Sequence, residues 1–222
     1  MFDKRVVLFM GHYGSGKTFC AVNYALALAK KGLPVSIYDL DIVNPYFRTV
    51  DAVKTLEEAG VELIVSPFAE TNVDIPAMNA ASYKMTDDKS RYAVLDIGGD
   101  DRGALALGRF YEEILKENNF ECLFVVNPYR PETRDIAGAI NIKNEIERVS
   151  RIPFTGIVNN ANLGGETTIE HILYGIEFCK KLGAKAGLPL KFSSVIRPLY
   201  ESAKEKIDKV LPVEPIKYGD WL

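Results

Sequence analysis

The stretch Gly11-His12-Tyr13-Gly14-Ser15-Gly16-Lys17-Thr18 constrains this chain more than any other. It carries the spacing G-x-x-x-x-G-K-[ST] and follows directly on the apolar run 5–10. Glycines at 14 and 16 let the backbone wrap closely, so that several N–H groups converge on a phosphate at the N-terminus of the next helix. Lys17 then meets the β and γ oxygens. The Thr18 hydroxyl goes to Mg²⁺, a hard cation that takes oxygen ligands and keeps several waters. The expected nucleotide contacts are therefore Gly11, Gly14, Ser15, Gly16, Lys17, Thr18 and Phe19. Residues 19–30 are rich in Ala and Leu and end before Gly32 and Pro34, which predicts a helix immediately after the loop.

Strand-length apolar runs recur at 5–10, 35–40, 61–65, 92–97, 122–126, 154–159 and 190–196, with helix-compatible segments between most of them. Several runs, such as Ala93-Val94-Leu95, are continuously apolar, which points to strands buried on both faces. The expectation is a three-layer α/β/α fold with a mostly parallel central sheet of about seven strands, formed by one domain over residues 1–222. Residues 71–90 break the rhythm and read as an insertion or surface element. In such sheets ligands sit at the carboxyl ends of strands, so the residues just after each run carry the chemistry.

After the second run, Asp39-Leu40-Asp41 places two carboxylates on one side of a strand end, where they can hold Mg²⁺ waters or orient an attacking water. Asp96 closes the fourth run and is followed by Gly98-Gly99. A carboxylate ending a buried apolar strand is costly unless it binds water or metal. The glycines would let a backbone N–H, that of Gly99 above all, approach a γ-phosphate. After the sixth run, the amides of Asn159 and Asn160 are candidate readers of a base edge. In an N-K-x-D motif the last carboxylate accepts two guanine N–H bonds. Asn162 stands there instead, which favours adenine.

Composition narrows the classes. The net charge is −3, from 27 basic against 30 acidic residues, so no nucleic-acid footprint shows. No run approaches the ~18 apolar residues that span a bilayer, and Pro212 and Pro215 interrupt the tail against an amphipathic membrane helix. Three scattered cysteines without a C-x-x-C pair, and the lack of an apolar leader, are the expectation for a reducing, cytoplasmic setting. His171 sits in a helical stretch without metal-ligating partners and reads as structural.

With these pieces in place, the chain resembles the MinD/ParA/CobQ-type branch of P-loop NTPases, the SIMIBI class, over nearly its whole length. The resemblance implies that Lys17 and Asp41 serve catalysis, with Asp41 positioning water. It also implies that Thr18, Asp41 and Asp96 serve the metal, and that 39–41 and 96–99 act as the two switch loops. An Mg²⁺-dependent ATP-binding switch with slow ATPase activity, a nucleotide-dependent homodimer and an unknown protein partner follow as expectations. A small-molecule kinase or ligase on the same loop, and an ATP-binding module with negligible turnover, are the alternatives; GTPase activity is a weaker one. One departure stands out: the branch carries a second lysine at the loop's second residue, and here that residue is His12. Arg48 and Arg102 are the candidate replacements for its charge.

Overall fold

The computed structural model describes residues 1–41, 52–65, 85, 87–98, 107 and 110–215. Eight strands build one sheet: β1 (Val6–Met10), β2 (Val35–Leu40), β3 (Glu62–Val65), β4 (Tyr92–Ile97), β5 (Phe120–Val126), β6 (Gly156–Asn159), β7 (Leu190–Ile196) and β8 (Val210–Val213). Their order is β3-β2-β4-β1-β5-β6-β7-β8, and every neighbouring pair is parallel. The expected α/β architecture is therefore present, with one strand more than the seven apolar runs foretold. The extra strand, β8, is four residues long and contains Pro212, so it leaves little hydropathy signal. It lies at the sheet edge, where a residue without an N–H is tolerated; Pro212 pairs in register with Val195.

Helices cover both faces: α1 (Lys17–Ala29), α2 (Val53–Glu58), α3 (Tyr111–Glu117), α4 (Ile136–Ser150), α5 (Ile169–Ala186) and α6 (Tyr200–Lys204). Alternate residues of each strand feed two cores. Val7, Phe9, Val35, Ile37, Val94, Leu123 and Val125 pack with Cys20, Tyr24 and Leu28 of α1. Leu8, Met10, Leu40, Leu95, Ile97, Phe124 and Val126 pack on the opposite face with Ile114 of α3, Ala139 of α4 and Cys179 of α5. A satellite cluster joins Ile172 and Ile176 to Val195 and Ala203.

Helix α1 is buried along much of its length and ties together distant parts of the chain. Tyr24 sits between the rings of Phe2, Phe9 and Phe192, at centroid distances of 4.8, 5.3 and 6.0 Å, and its hydroxyl donates to the Met1 carbonyl. Asn23 accepts from the Glu214 N–H at 2.9 Å and donates to the Glu214 carbonyl at 3.1 Å, pinning the end of β8. Caps fix the later helices. The Asp135 carboxylate accepts from Gly138 N ahead of α4, and His171 Nδ1 accepts from Thr168 N ahead of α5. His171 thus has a place in helix initiation. Of segment 71–90, only Met85 and residues 87–90 belong to the described part; Met85 is buried and its carbonyl accepts from Arg5. No described helix is long and apolar enough to cross a membrane.

The three cysteines, Cys20, Cys122 and Cys179, are free and buried. Burial pushes the Cys20 thiol up to about 12, partly offset by a hydrogen bond with Ser194 and reinforced by Asp96. Burial raises Cys122 and Cys179 as well. Because the reactive species is the thiolate, a thiol-specific chromogenic reagent at mildly alkaline pH should titrate none of the three in the native protein and all of them in guanidinium. Rapid labelling of the native protein would refute this packing.

Candidate functional site

The loop 11–18 leaves β1 between its neighbours β4 and β5, at the carboxyl edge of the sheet where the chain's crossovers diverge. Gly14 and Gly16 adopt φ of 74° and 86°, the left-handed conformations that a non-glycine residue resists. Gly11 is fixed by contact instead: a Cβ there would lie 2.6 Å from the Val125 carbonyl oxygen. Lys17, Thr18 and Phe19 open α1, so helix geometry leaves their N–H groups without helical acceptors. The Phe19 ring packs against the α1 core, leaving its backbone as the part available to a ligand. The Ser15 hydroxyl is 1% exposed and has no hydrogen-bond partner among the described residues. An orphaned buried polar atom beside the unbonded N–H groups of 17–19 fits a loop built to take further polar contacts.

Carboxylates line one side of the loop. Lys17 Nζ lies 3.0 Å from Asp41 Oδ2, and both side chains are almost fully buried, at 4% and 3% exposure. Asp39 accepts from the backbone N–H of Asp41 at 3.1 Å, so the two aspartates form one turn on one side of the β2 end. Asp39 is the in-register partner of Asp96 on β4, and Phe9 of β1 flanks Asp96 on its other side. Strand alternation points Asp39 and Asp96 to the α1 face, with Ile37 and Val94. Three buried carboxylates therefore stand at the ends of the adjacent strands β2 and β4, one of them paired with the buried Lys17 ammonium. Among the described residues no three His, Cys, Asp or Glu side chains are arranged to hold a metal by themselves.

Amides line the other side, and here the structure corrects the sequence expectation for Asn159. Its side chain is 0% exposed, donates to the Ile172 carbonyl and to Ser193 Oγ, and accepts from Ala161 N. Both its N–H groups are spent inside the protein, so it ties β6 to α5 and β7 and offers no donor to a base. Asn160 donates to the Ser15 carbonyl at 2.7 Å and accepts from Ser194 Oγ, which clamps the β6 end onto the phosphate loop. One N–H of its amide remains for a ligand. The Asn162 side chain accepts from Gly164 N and Thr167 Oγ1. Asn127, just past β5, went unremarked in the sequence: it donates to the Asn162 carbonyl and accepts from Tyr129 N.

At the mouth of the loop, His12 Nδ1 lies 3.6 Å from Glu132 Oε2, and Arg130 Nε donates to the Gly14 carbonyl at 2.9 Å. Arg130 was also missed, although it follows the fifth apolar run, where ligand-binding residues are expected. Gly99, Arg48 and Arg102 lie outside the described residues.

Two substitutions test this geometry. Gly16→Ala forces a Cβ to within 2.1 Å of Asn160 Nδ2 at a positive φ, and should lower the denaturant midpoint while Gly32→Ala, which meets nothing within 4 Å, is milder. Asp41→Ala leaves the Lys17 ammonium buried without this carboxylate and should cost about 3–5 kcal/mol in urea unfolding. An unchanged midpoint for Asp41→Ala would show that the pair is not closed in solution.

Comparison with known proteins agrees with the fold and the phosphate-loop motif. The model of the CobQ/CobB/MinD/ParA nucleotide binding domain (CbiA) matches residues 7–169, well over half of the chain. The signal recognition particle 54 kDa protein of Pyrobaculum calidifontis is 32% identical over 113 residues, covering 50% of this chain and 23% of that protein. Among solved structures, the signal recognition particle receptor FtsY of Elizabethkingia anophelis in complex with GDP aligns with a TM-score of 0.53 at 17% identity, over 88% of this chain and 58% of that one. The signal recognition particle 54 kDa protein of Aeropyrum pernix in complex with GDP aligns with a TM-score of 0.56 at 19% identity, over 86% and 41%. The chain spans less than two thirds of each of these relatives. At these identities the two solved structures share the fold. The phosphate loop, the parallel sheet and the matched span together place the chain in the CobQ/CobB/MinD/ParA nucleotide binding domain family.

Proposed function

We propose that the chain is an Mg²⁺-dependent ATP-binding switch with slow ATPase activity. The observation that carries this reading is the Lys17–Asp41 pair beside the in-register Asp39 and Asp96. A phosphate entering the loop competes with Asp41 for Lys17, so occupancy of the site changes the partner of a residue at the start of a connecting segment. Local charge exchange at one end of β2 thereby becomes a conformational signal.

The donor set fits a hard divalent cation: the Thr18 hydroxyl and the Asp96 carboxylate would hold it, completed by phosphate oxygens and water. When bound, the ion neutralises charge on the terminal phosphates. The remaining steps belong to the chain. Backbone N–H groups of Gly14 and of 16–19, with Lys17, orient the phosphates, and Asn160 keeps the loop in register through Ser15. Asp41, released from Lys17, accepts a hydrogen bond from a water in line with the γ-phosphorus. Attack by that water breaks the bond to the β–γ bridging oxygen, giving ADP and phosphate, and the water's proton leaves with the phosphate. Adenine is favoured because no carboxylate stands at Asn162, whose side-chain oxygen already accepts two bonds within the protein. A guanine nucleotide is the second reading, since FtsY and the 54 kDa protein named above were each solved with GDP. Self-association on the triphosphate and docking of a protein partner belong to the same proposal.

Phosphate release from ATP and from GTP, with and without Mg²⁺ and over a protein concentration series, tests it. ATP turnover should depend on Mg²⁺ and fall at least about a hundredfold in Lys17→Ala. A specific rate that rises with protein concentration supports self-association. Preferential GTP turnover would replace adenine by guanine, and ATP binding without release above the Lys17→Ala level would reduce the protein to a binding module or an enzyme awaiting an acceptor.

A further inference from the structure

The fixed charges around the phosphate loop are unbalanced for a triphosphate. Lys17 is faced by Asp41, and Asp39 and Asp96 add two further buried carboxylates. A nucleoside triphosphate brings about four more negative charges. The loop's second residue, His12, is an imidazole rather than a lysine or arginine, and it already faces Glu132. Besides Lys17, the permanent cation in contact with the loop among the described residues is Arg130.

We infer that Arg130 is a phosphate-binding residue acting on the nucleotide held by its own chain, supplying the fixed charge that His12 does not. This assignment rests on the nucleotide reading above and deepens it. Arg130 is held by a built turn. Its N–H donates to the Asn127 carbonyl, its carbonyl accepts from Thr133 N, and the Thr133 hydroxyl donates to the Asn127 carbonyl at 2.7 Å. Asn127 is itself buried and bonded to the Asn162 carbonyl, and Pro131 fixes the next φ. On this platform the guanidinium lies flat against Gly14, where even a methyl group would stand 3.4 Å from Nε. One of its five N–H donors is spent on the Gly14 carbonyl. The four on Nη1 and Nη2 carry no hydrogen bond or ion pair among the described residues, and a guanidinium edge with free donors matches two phosphate oxygens at once. The exposure of Arg130 leaves those donors open to a ligand.

Calorimetric titration of the full chain with Mg²⁺–ADP and with the Mg²⁺ complex of a non-hydrolysable β,γ-imido ATP tests the assignment. Wild type, Arg130→Ala, Arg130→Lys and Arg130→Gln are compared with Arg134→Ala, which removes the same charge from an exposed neighbouring position. Arg130→Ala should weaken the triphosphate analogue by about tenfold or more and ADP by distinctly less. Arg130→Lys should recover part of the loss, Arg130→Gln little, and Arg134→Ala should stay within about twofold of wild type. Equal weakening of both nucleotides would show that Arg130 merely positions Gly14 and would overturn the assignment, as would no weakening at all. Wild-type protein that binds neither nucleotide would overturn the nucleotide reading itself, a result separate from a wild type that binds both with an unchanged ratio in the variants. Thermal melts of each variant confirm that the loss is not one of folding.

Discussion

A buried ammonium group organises this molecule. Lys17 is 4% exposed at the first position of α1, and an isolated charge there would cost several kcal/mol. Its partner Asp41 lies one residue past the end of β2, so the loop after β1 and the end of β2 must meet over the carboxyl edge of the sheet. The strand order allows this because only β4 separates β2 from β1. β4 in turn brings Asp96 level with Asp39, extending the charged cluster across two adjacent strands beside the loop that leaves β1. Fold and site are thus one constraint. A sheet with β2 several strands removed from β1 would leave Lys17 without this carboxylate.

The two sides of the loop are built from different interactions, and the difference has consequences. On the β4–β2 side the contacts are ionic, and a phosphate can compete for them. On the β5–β6–β7 side, apart from the Arg130 guanidinium at the rim, they are neutral side-chain hydrogen bonds, Asn160 to Ser15, Ser194 to Asn160 and Asn127 to Asn162, for which a phosphate has no advantage. Ligand binding therefore acts on a cluster with one rigid wall and one exchangeable wall.

What could be read in the sequence was what local periodicity encodes. Seven strands announced themselves as apolar runs because both faces of a parallel sheet are covered. The loop was legible because its glycines satisfy a backbone requirement within eight residues, and the pairing of Asp39 with Asp41 followed from the two-residue repeat of a strand. The eighth strand was hidden because four residues with a proline carry no such pattern. The partners of the amides were hidden for another reason: Asn160 meets Ser15 across 145 positions, and Arg130 meets Gly14 across 116. Those contacts are properties of strand order, which hydropathy does not report. Asn159 looked like a reader of bases and proved to be a brace, since nothing local reveals that Ile172 and Ser193 close over it.

The location of positive charge separates this chain from the pattern it otherwise follows. A cation at the loop's second residue rides on the loop itself, and its reach is set by a flexible lysine stem. A guanidinium mounted on the turn after β5 is anchored to the sheet through Asn127 and rests on the carbonyl of Gly14, so its position is tied to the conformation of the loop beneath it. Glu132, two residues on, keeps company with His12 and leaves the Arg130 guanidinium without a carboxylate partner among the described residues. Moving the charge from the loop to its rim leaves the number of cations at the site unchanged while directing the second one toward the nucleotide of the same chain. On that assignment, phosphate binding in each copy of the protein rests on its own residues.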